Sequence, residues 1–360
     1  MAESHPHPRK APGARQRGLA LITTMLVLAI AVTAVTYMAF NQGIWMHQAQ
    51  NLIDRTQADA ITLSGMKWAM VILAEDAEKN TIDSREEDWS KWKPTVAAEG
   101  GMISGEITDA QARFNLNNIW RGGAQIQADI NVLRHIFDEA GQDSDLVDTL
   151  LDWIDENSDT RPLFGAEDVE YLSAAPPQQP YRAANQPFAS VEELRLVRGF
   201  DAETVKELRP FVTALPGFTP INVNTAGKKV LSALFEPIEE KALKEFIAGR
   251  PYKDVPEVDK KLKELAPDLK LPGGTYGVSS NYFKVNINVE YGRMARATEA
   301  LIRRPPAGAP AQVLWRTHGI SPKTEHAMSA DSDRGTTSSE NTKFKPSINE
   351  GDGDEDEEDK

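Results

Sequence analysis

Hydrophobic and polar positions divide this chain into an apolar start, a two-faced continuation, a mixed middle and a polar end. Leu19 to Phe40 is a run of 22 residues without charge or proline. As a helix it would measure about 33 Å, enough to cross the hydrocarbon layer of a bilayer. The helical character continues from Gln42 to about Lys79, with no proline and two glycines, Gly43 and Gly65. Leu52, Ala60, Leu63, Met70 and Leu73 recur at helical steps, while Asp54, Arg55, Asp59, Lys67 and Glu75 occupy other faces. The pattern predicts one rod of about 90 Å, half in lipid or among other helices and half carrying a globular body.

Past the rod the chain alternates in character. Gly101–Ile107 and Arg113–Asn117 read as strands, the second with Phe114 and Leu116 on one face. After Gly122-Gly123 come helices at Gln127–Ala140, stopped by Gly141, at Asp143–Ile154, capped by Asp143, and at Glu167–Ser173. A proline-rich connector at 176–180 leads to two helical hairpins, Ser190–Val197 with Ala202–Phe211, and Thr225–Phe235 with Glu239–Ala248. Beyond Pro272, Phe283, Val285, Ile287 and Val289 alternate with polar residues, and a turn at Tyr291-Gly292 leads to a partner strand, Met294–Ile302. Strands therefore flank a helical block. The simplest topology is α+β: a long N-terminal helix on an antiparallel sheet, with a large all-α domain inserted in the sheet. The expected divisions are 1–18, 19–40, 41–122, 123–272, 273–304 and 305–360. In the last, no apolar period survives, and it reads as a disordered acidic tail. Trp89 and Trp92 are expected to pack locally.

Charge changes the picture at both ends. Arg9, Lys10, Arg15 and Arg17 precede the apolar run, which keeps the N-terminus in the cytoplasm and the bulk of the chain outside it. Half of the net charge of −14 lies in the last eleven residues, so the folded middle is only mildly acidic. Cysteine is absent, which excludes disulfide staples. The Arg17-Gly18 junction has three readings: a secretory signal cut after Ala29-Ile-Ala31, a plain single-span anchor, or a prepilin-type leader cut after Gly18 that leaves Leu19 as the new N-terminus.

Candidate chemistry concentrates in Asp152–Asp168. From Asp155 it reads D-x-N-x-D, the opening of an EF-hand loop, but Thr160 replaces the turn glycine and the closing acid, Glu167, comes one residue late. Either a related calcium loop or acids that end one helix and begin the next would account for it. The hairpins resemble helix-hairpin-helix repeats, so the alternative is a membrane-tethered DNA-binding protein of competence type. Against it, Ser190–Lys270 holds fourteen basic and fourteen acidic residues, which gives no positive field for phosphates. No catalytic motif of nucleophile, zinc or nucleotide type is present, and the chain reads as a structural protein rather than an enzyme.

The leader Arg17-Gly18 with Leu19-Ala-Leu-Ile-Thr23, the segment Thr108–Asn118, the Asp152–Asp168 loop, Tyr171-Leu172, Tyr181–Asn185 and Ser190–Leu194 together resemble the K-type minor pseudopilins of type II secretion systems. Thr23 stands where other pilins carry glutamate, and the K-type lacks that acid too. The resemblance covers about Arg15 to Arg304. It implies cleavage by prepilin peptidase between Gly18 and Leu19, with methylation of the Leu19 amine. It also implies a single-pass place in the inner membrane with a periplasmic body, and a pseudopilus-tip role beside the I- and J-type minor pseudopilins, without nucleic acid and with secreted cargo as a further candidate partner. Calcium is the implied cofactor, and Asp155, Asn157, Asp159, Glu167 and Asp168 are the candidate ligands, with Asp152 beside them.

Overall fold

A computed structural model describes residues 15–98, 100–173, 180–305 and 308–319. In chain order the helices are α1 (Arg15–Lys79), α2 (Asp88–Lys91), α3 (Gln127–Ala140), α4 (Leu146–Ile154), α5 (Asp168–Leu172), α6 (Ala202–Leu208), α7 (Lys228–Leu234), α8 (Glu240–Ala248) and α9 (Val255–Leu265). The strands are β1 (Thr95–Ala98), β2 (Gly101–Asp109), β3 (Phe114–Asn115), β4 (Trp120–Arg121), β5 (Ala124–Gln125), β6 (Val212–Thr213), β7 (Ile221–Asn222), β8 (Tyr276–Gly277), β9 (Tyr282–Tyr291), β10 (Met294–Arg303) and β11 (Gln312–Gly319).

The rod is continuous, one helix of 65 residues without a break between its apolar and amphipathic halves. Its packed stripe differs from the expected one. Asp54, Ala58, Thr62, Met66, Ala69 and Leu73 are buried, while Leu52 is 65% and Leu63 44% exposed. Close approach selects small residues here. A Cβ at Gly65 would stand 2.9 Å from Ile103 Cδ1 and 3.3 Å from Ile287 Cδ1, so the glycine lets the helix settle onto the sheet. Asp54, expected on a solvent face, is instead buried against the β9–β10 turn, where it accepts from Gln50 Nε2 (2.8 Å) and Arg293 N (3.4 Å).

The sheet runs β1-β2-β9-β10-β11, antiparallel throughout. Its register pairs Asp109 with Phe283 and Gly101 with Tyr291, so strands far apart in sequence are neighbours. The helical body enters after β2 and returns at β9, which confirms the inserted α+β arrangement. The fifth strand corrects the reading of everything after Pro305 as disordered. Gln312–Gly319 pairs with β10, because an edge strand needs ladder partners on one side only and little apolar content. Residues 320–360, with the acidic end, lie outside the described residues, as does most of the proline-rich connector.

Two aromatic expectations also change. Trp89 packs edge-on against Phe283 (5.1 Å between centroids) and Trp92 against Trp68 (5.5 Å), so both close the rod–sheet core rather than their own loop. The strand expected over 113–117 shrinks to β3, parallel to β6, and Leu116–Ile119 turns into a 3-10 helix. Asn115, Asn117 and Asn118 are as buried as Leu116. Their amides bind backbone groups of Phe188, Leu215 and Thr219 at 2.7–3.3 Å, fastening this segment to chain 71 to 101 residues away.

Candidate functional site

The acidic loop forms as α4 ends. Asp152 lies in its last turn, and Asp155 is the C-cap residue, extended rather than helical. From there the side chains fold the backbone on themselves. Asp155 Oδ1 accepts from Asn157 N (3.2 Å) and Nδ2 (2.8 Å), and Asn157 Oδ1 accepts from Asp159 N (2.7 Å). Short polar side chains at alternate positions bond to backbone two residues on, which is why this spacing makes a compact loop.

The loop then returns over Asp152. Arg161 N donates to Asp152 Oδ2 (3.0 Å), and Thr149 Oγ1 to the Phe164 carbonyl (2.9 Å). A Cβ on Gly165 would lie 2.3 Å from Asp152 Oδ2, so the return path admits no side chain at that position. Glu167 precedes α5, and its N–H donates to Glu170 Oε2 (2.9 Å).

The fold thereby gathers Asp152, Asp155 and Glu167, all essentially buried. Asn157 and Asp159 sit exposed on the outer curve, and half-buried Asp168 accepts from Ala183 N (3.0 Å) with Arg182 3.4 Å away. Among the described residues the cation paired with the buried carboxylates is Arg161. Its Nη2 is 3.3 Å from Asp155 Oδ2, and its Nε is 2.9 Å from Asp152 Oδ1 without the alignment of a hydrogen bond. Both Glu167 oxygens are buried, and among the described residues no cation pairs with them. Arg161 thus pairs with two of the three buried carboxylates and leaves Glu167 out.

Titration reflects the same imbalance. Burial pushes Glu167 up to about 7, and the charges of Asp152, Asp155 and Asp168 add to it. Burial lifts Asp152 to about 6 against the pull of Arg161, and Asp155 rises for the same first reason. The donors are all hard oxygens of the kind calcium takes, but Arg161 pairs with Asp152 and Asp155, and the three carboxylates that come within 4.8 Å of one another among the described residues are Asp76, Asp83 and Glu87, not these. Sequence reasoning passed over Arg161 and Gly165. The signal for Arg161 was present: it is the one cation between Asp152 and Asp168, among six acids.

For the two processing positions, Gly18 and Leu19 both fall within α1. Leu19 to Phe40 is exposed on all sides, and α1 contains a window with a mean hydropathy of 2.4, long and apolar enough to cross a membrane. Thr23, in place of the usual acid, donates its hydroxyl to the Ala20 carbonyl of its own helix (3.0 Å).

Comparison with known proteins agrees with this architecture. Residues 112–217 and 221–278 match two family descriptions of type II secretion system protein K. The chain is 30% identical to type II secretion system protein K of Pseudomonas aeruginosa over 306 residues, covering 81% of this chain and 90% of that one. It is also 30% identical to the protein K of Pectobacterium carotovorum subsp. carotovorum, over 85% of this chain and 97% of the relative. Among solved structures it resembles a chain of the GspK-GspI-GspJ complex from the enterotoxigenic Escherichia coli type 2 secretion system, with a TM-score of 0.65 and 25% identity. That likeness covers 76% of this chain and 100% of the other. With its rod, its sheet and its inserted helical body, the chain belongs to the protein K family of type II secretion systems, whose members are minor pseudopilins of a protein-secretion machinery.

Proposed function

We propose that this chain caps the tip of the type II secretion pseudopilus, where it joins I- and J-type minor pseudopilins and acts in filament assembly and export of folded proteins. The observation that carries this reading is the unshared face of α1. Beyond the apolar half, Leu52, Ile53, Leu63, Trp68 and Val71 remain exposed on the helix that already packs on its own sheet. Bundled rods of neighbouring subunits would cover that stripe. The neighbour of known structure is itself a complex of K, I and J components. A subunit at the end of a stack also needs no acid to meet an ammonium group above it, which agrees with Thr23 serving its own helix.

In this reading prepilin peptidase cuts between Gly18 and Leu19 and methylates the new amine. Leu19–Phe40 stays in the inner membrane, the body stands in the periplasm, and the protein is not an enzyme. Calcium belongs to the acidic loop, where Asp152, Asp155 and Glu167 would hold it, with Asn157, Asp159 and Asp168 as further oxygen donors. Its charge would compensate the carboxylates that Arg161 does not and fix the loop against α4 and α5.

The test is co-purification from membranes with the I- and J-type subunits. Leu63→Glu with Val71→Glu is expected to abolish recovery of the complex while the protein remains folded. Recovery at the unmodified level would sink the proposal, as would an N-terminus at a residue other than Leu19.

A further inference from the structure

A second group of carboxylates closes on itself where the rod meets the inserted body. Asp76, in the last turn of α1, Asp83, in the turn after it, and Glu87 each bring a carboxylate oxygen within 4.8 Å of the others. Asp83 is fully buried and Asp76 nearly so. Among the described residues the cation bonded to this group is Arg304, just past β10. Its Nη1 is 2.5 Å from Asp76 Oδ2, and its Nη2 is 2.6 Å from Asp83 Oδ2 and 2.8 Å from the Ser280 carbonyl. Glu87 is held otherwise, accepting from Trp89 Nε1 (2.8 Å). As in the loop, the guanidinium pairs with two of the three acids.

Two observations separate this group from an ordinary salt-bridge network. Asp83 Oδ1 is sealed from solvent and has no hydrogen-bond partner, a costly state for a carboxylate oxygen unless something compensates it. The group also borders an open cavity of about 350 Å³, whose wall adds Glu75 and Asp88 to Asp76 and Glu87, against Lys79. The cavity reaches the group through Asp76 and Glu87 and leaves room for water there, while Asp83 is sealed and not part of its wall.

We propose that Asp76, Asp83 and Glu87 form a divalent-cation site for calcium, with Arg304 as an internal counter-charge and cavity water completing the coordination shell. The donors are hard oxygens from separate backbone segments, spread over several ångströms, which suits the large and adaptable shell of calcium better than the tight octahedron of magnesium. The position matters as much as the chemistry. Asp83 N donates to the Val278 carbonyl (2.9 Å), its carbonyl accepts from Asn222 Nδ2 (3.0 Å), and its Oδ2 accepts from Ser280 N (2.7 Å). A cation here ties the end of the rod to the chain leaving the inserted body. The site is independent of the acidic loop and stands whether or not that loop binds calcium.

The experiment uses the full-length protein in detergent micelles with the loop disabled by Asp155→Asn and Glu167→Gln. Calorimetric titration with calcium chloride is expected to show residual binding of about one equivalent, which Glu87→Gln weakens by at least about tenfold. Glu87 does not hold Arg304, so this variant keeps the ion pairs that support the fold. Terbium emission excited through tryptophan gives a second reading with Glu87 intact, because Trp89 bonds directly to Glu87. Residual calcium binding that Glu87→Gln leaves unchanged would overturn the proposal, and so would absent terbium emission in the loop-disabled protein. Magnesium binding as tight as calcium would overturn the choice of ion.

Discussion

The two bodies of this molecule bury their apolar surface in different ways. The rod body is a single helix laid on a single sheet, with Ala58, Met66, Ala69 and Leu73 facing Phe283, Val285, Ile287 and Val289. Ala58, Gly65 and Ala69 let the helix come close to the sheet and Met66 and Leu73 fill the contact, while Leu52, Leu63, Trp68 and Val71 are 44–65% exposed. The inserted body closes on itself. Phe137, Leu133, Ile136, Leu150, Phe235 and Phe246 are all fully buried, and the amides of Asn115, Asn117 and Asn118 bond across its interior. The rod leaves an apolar face for neighbours, while the inserted body keeps a closed core and leaves Leu163, Val169 and Leu172 exposed around its acidic loop and α5. Exposed apolar area on the rod is therefore part of its working surface rather than a packing defect.

The sharpest way to break that comparison is to open one core at a time. Phe283→Ala removes the ring beneath Trp89, and Phe137→Ala removes a fully buried ring that packs edge-on to Phe200. Each is expected to cost about 3–5 kcal/mol. Urea titration of the full-length protein, followed by tryptophan emission and by far-ultraviolet circular dichroism, should show each variant shifting a different transition. Identical shifts of a single transition would show that the bodies unfold as one.

Arg304 sharpens the boundary, because it holds Asp76 and Asp83 where the bodies meet. Arg304→Met leaves those carboxylates buried without their cation, at a cost of about 3 kcal/mol, the lower end for a broken buried pair. The lower end applies because Asp83, pushed up to about 7 by burial, escapes part of the penalty by binding a proton. The loss should be larger at pH 8 than at pH 6, measured by thermal unfolding in chelator.

The acids themselves give a pH test in both regions. Asp83 and Glu167 have folded values of about 7, well above those of the unfolded chain. A raised carboxyl binds its proton more tightly in the folded state, so its stabilising effect is complete below the unfolded value and lost as pH rises through the folded one. Stability in chelator should therefore fall between about pH 5 and pH 8, by on the order of 1–2 kcal/mol. Glu167→Gln should flatten the part that belongs to the inserted body. An unchanged slope would show that Glu167 does not titrate in this range.

Much of the fold was legible where the signal is local. The rod needs only an unbroken helical pattern, α3 ends at Gly141 where φ is +72°, and the β9–β10 hairpin follows from alternation around Gly292. The acidic loop was legible for the same reason, since its carboxylates lie within seventeen consecutive residues. What escaped depends on distant partners. Nothing near Asp54 announces that Gly292 and Arg293 will cover it. The three buried asparagines look like a solvent face until residues 188 and 215–219 arrive. The Asp76–Asp83–Arg304 group joins positions more than 200 residues apart, and β11 is hidden by the proline-rich chain before it.

The smallest test concerns α9, a helix that sequence pattern did not announce. It begins where Asp254 Oδ1 accepts from Glu257 N (2.8 Å), with Pro256 in its first turn. Val258 and Leu262 are fully buried in the core of the inserted body, and α9 is not part of the rod–sheet core. Asp254→Ala removes one cap bond and is expected to cost about 1 kcal/mol. If the bodies are separate cooperative units, that loss falls on the inserted body alone, and the Trp89 environment over Phe283 keeps its own midpoint. A cap within the inserted body that lowered both midpoints equally would mean that the junction, rather than either core, sets the stability of the whole.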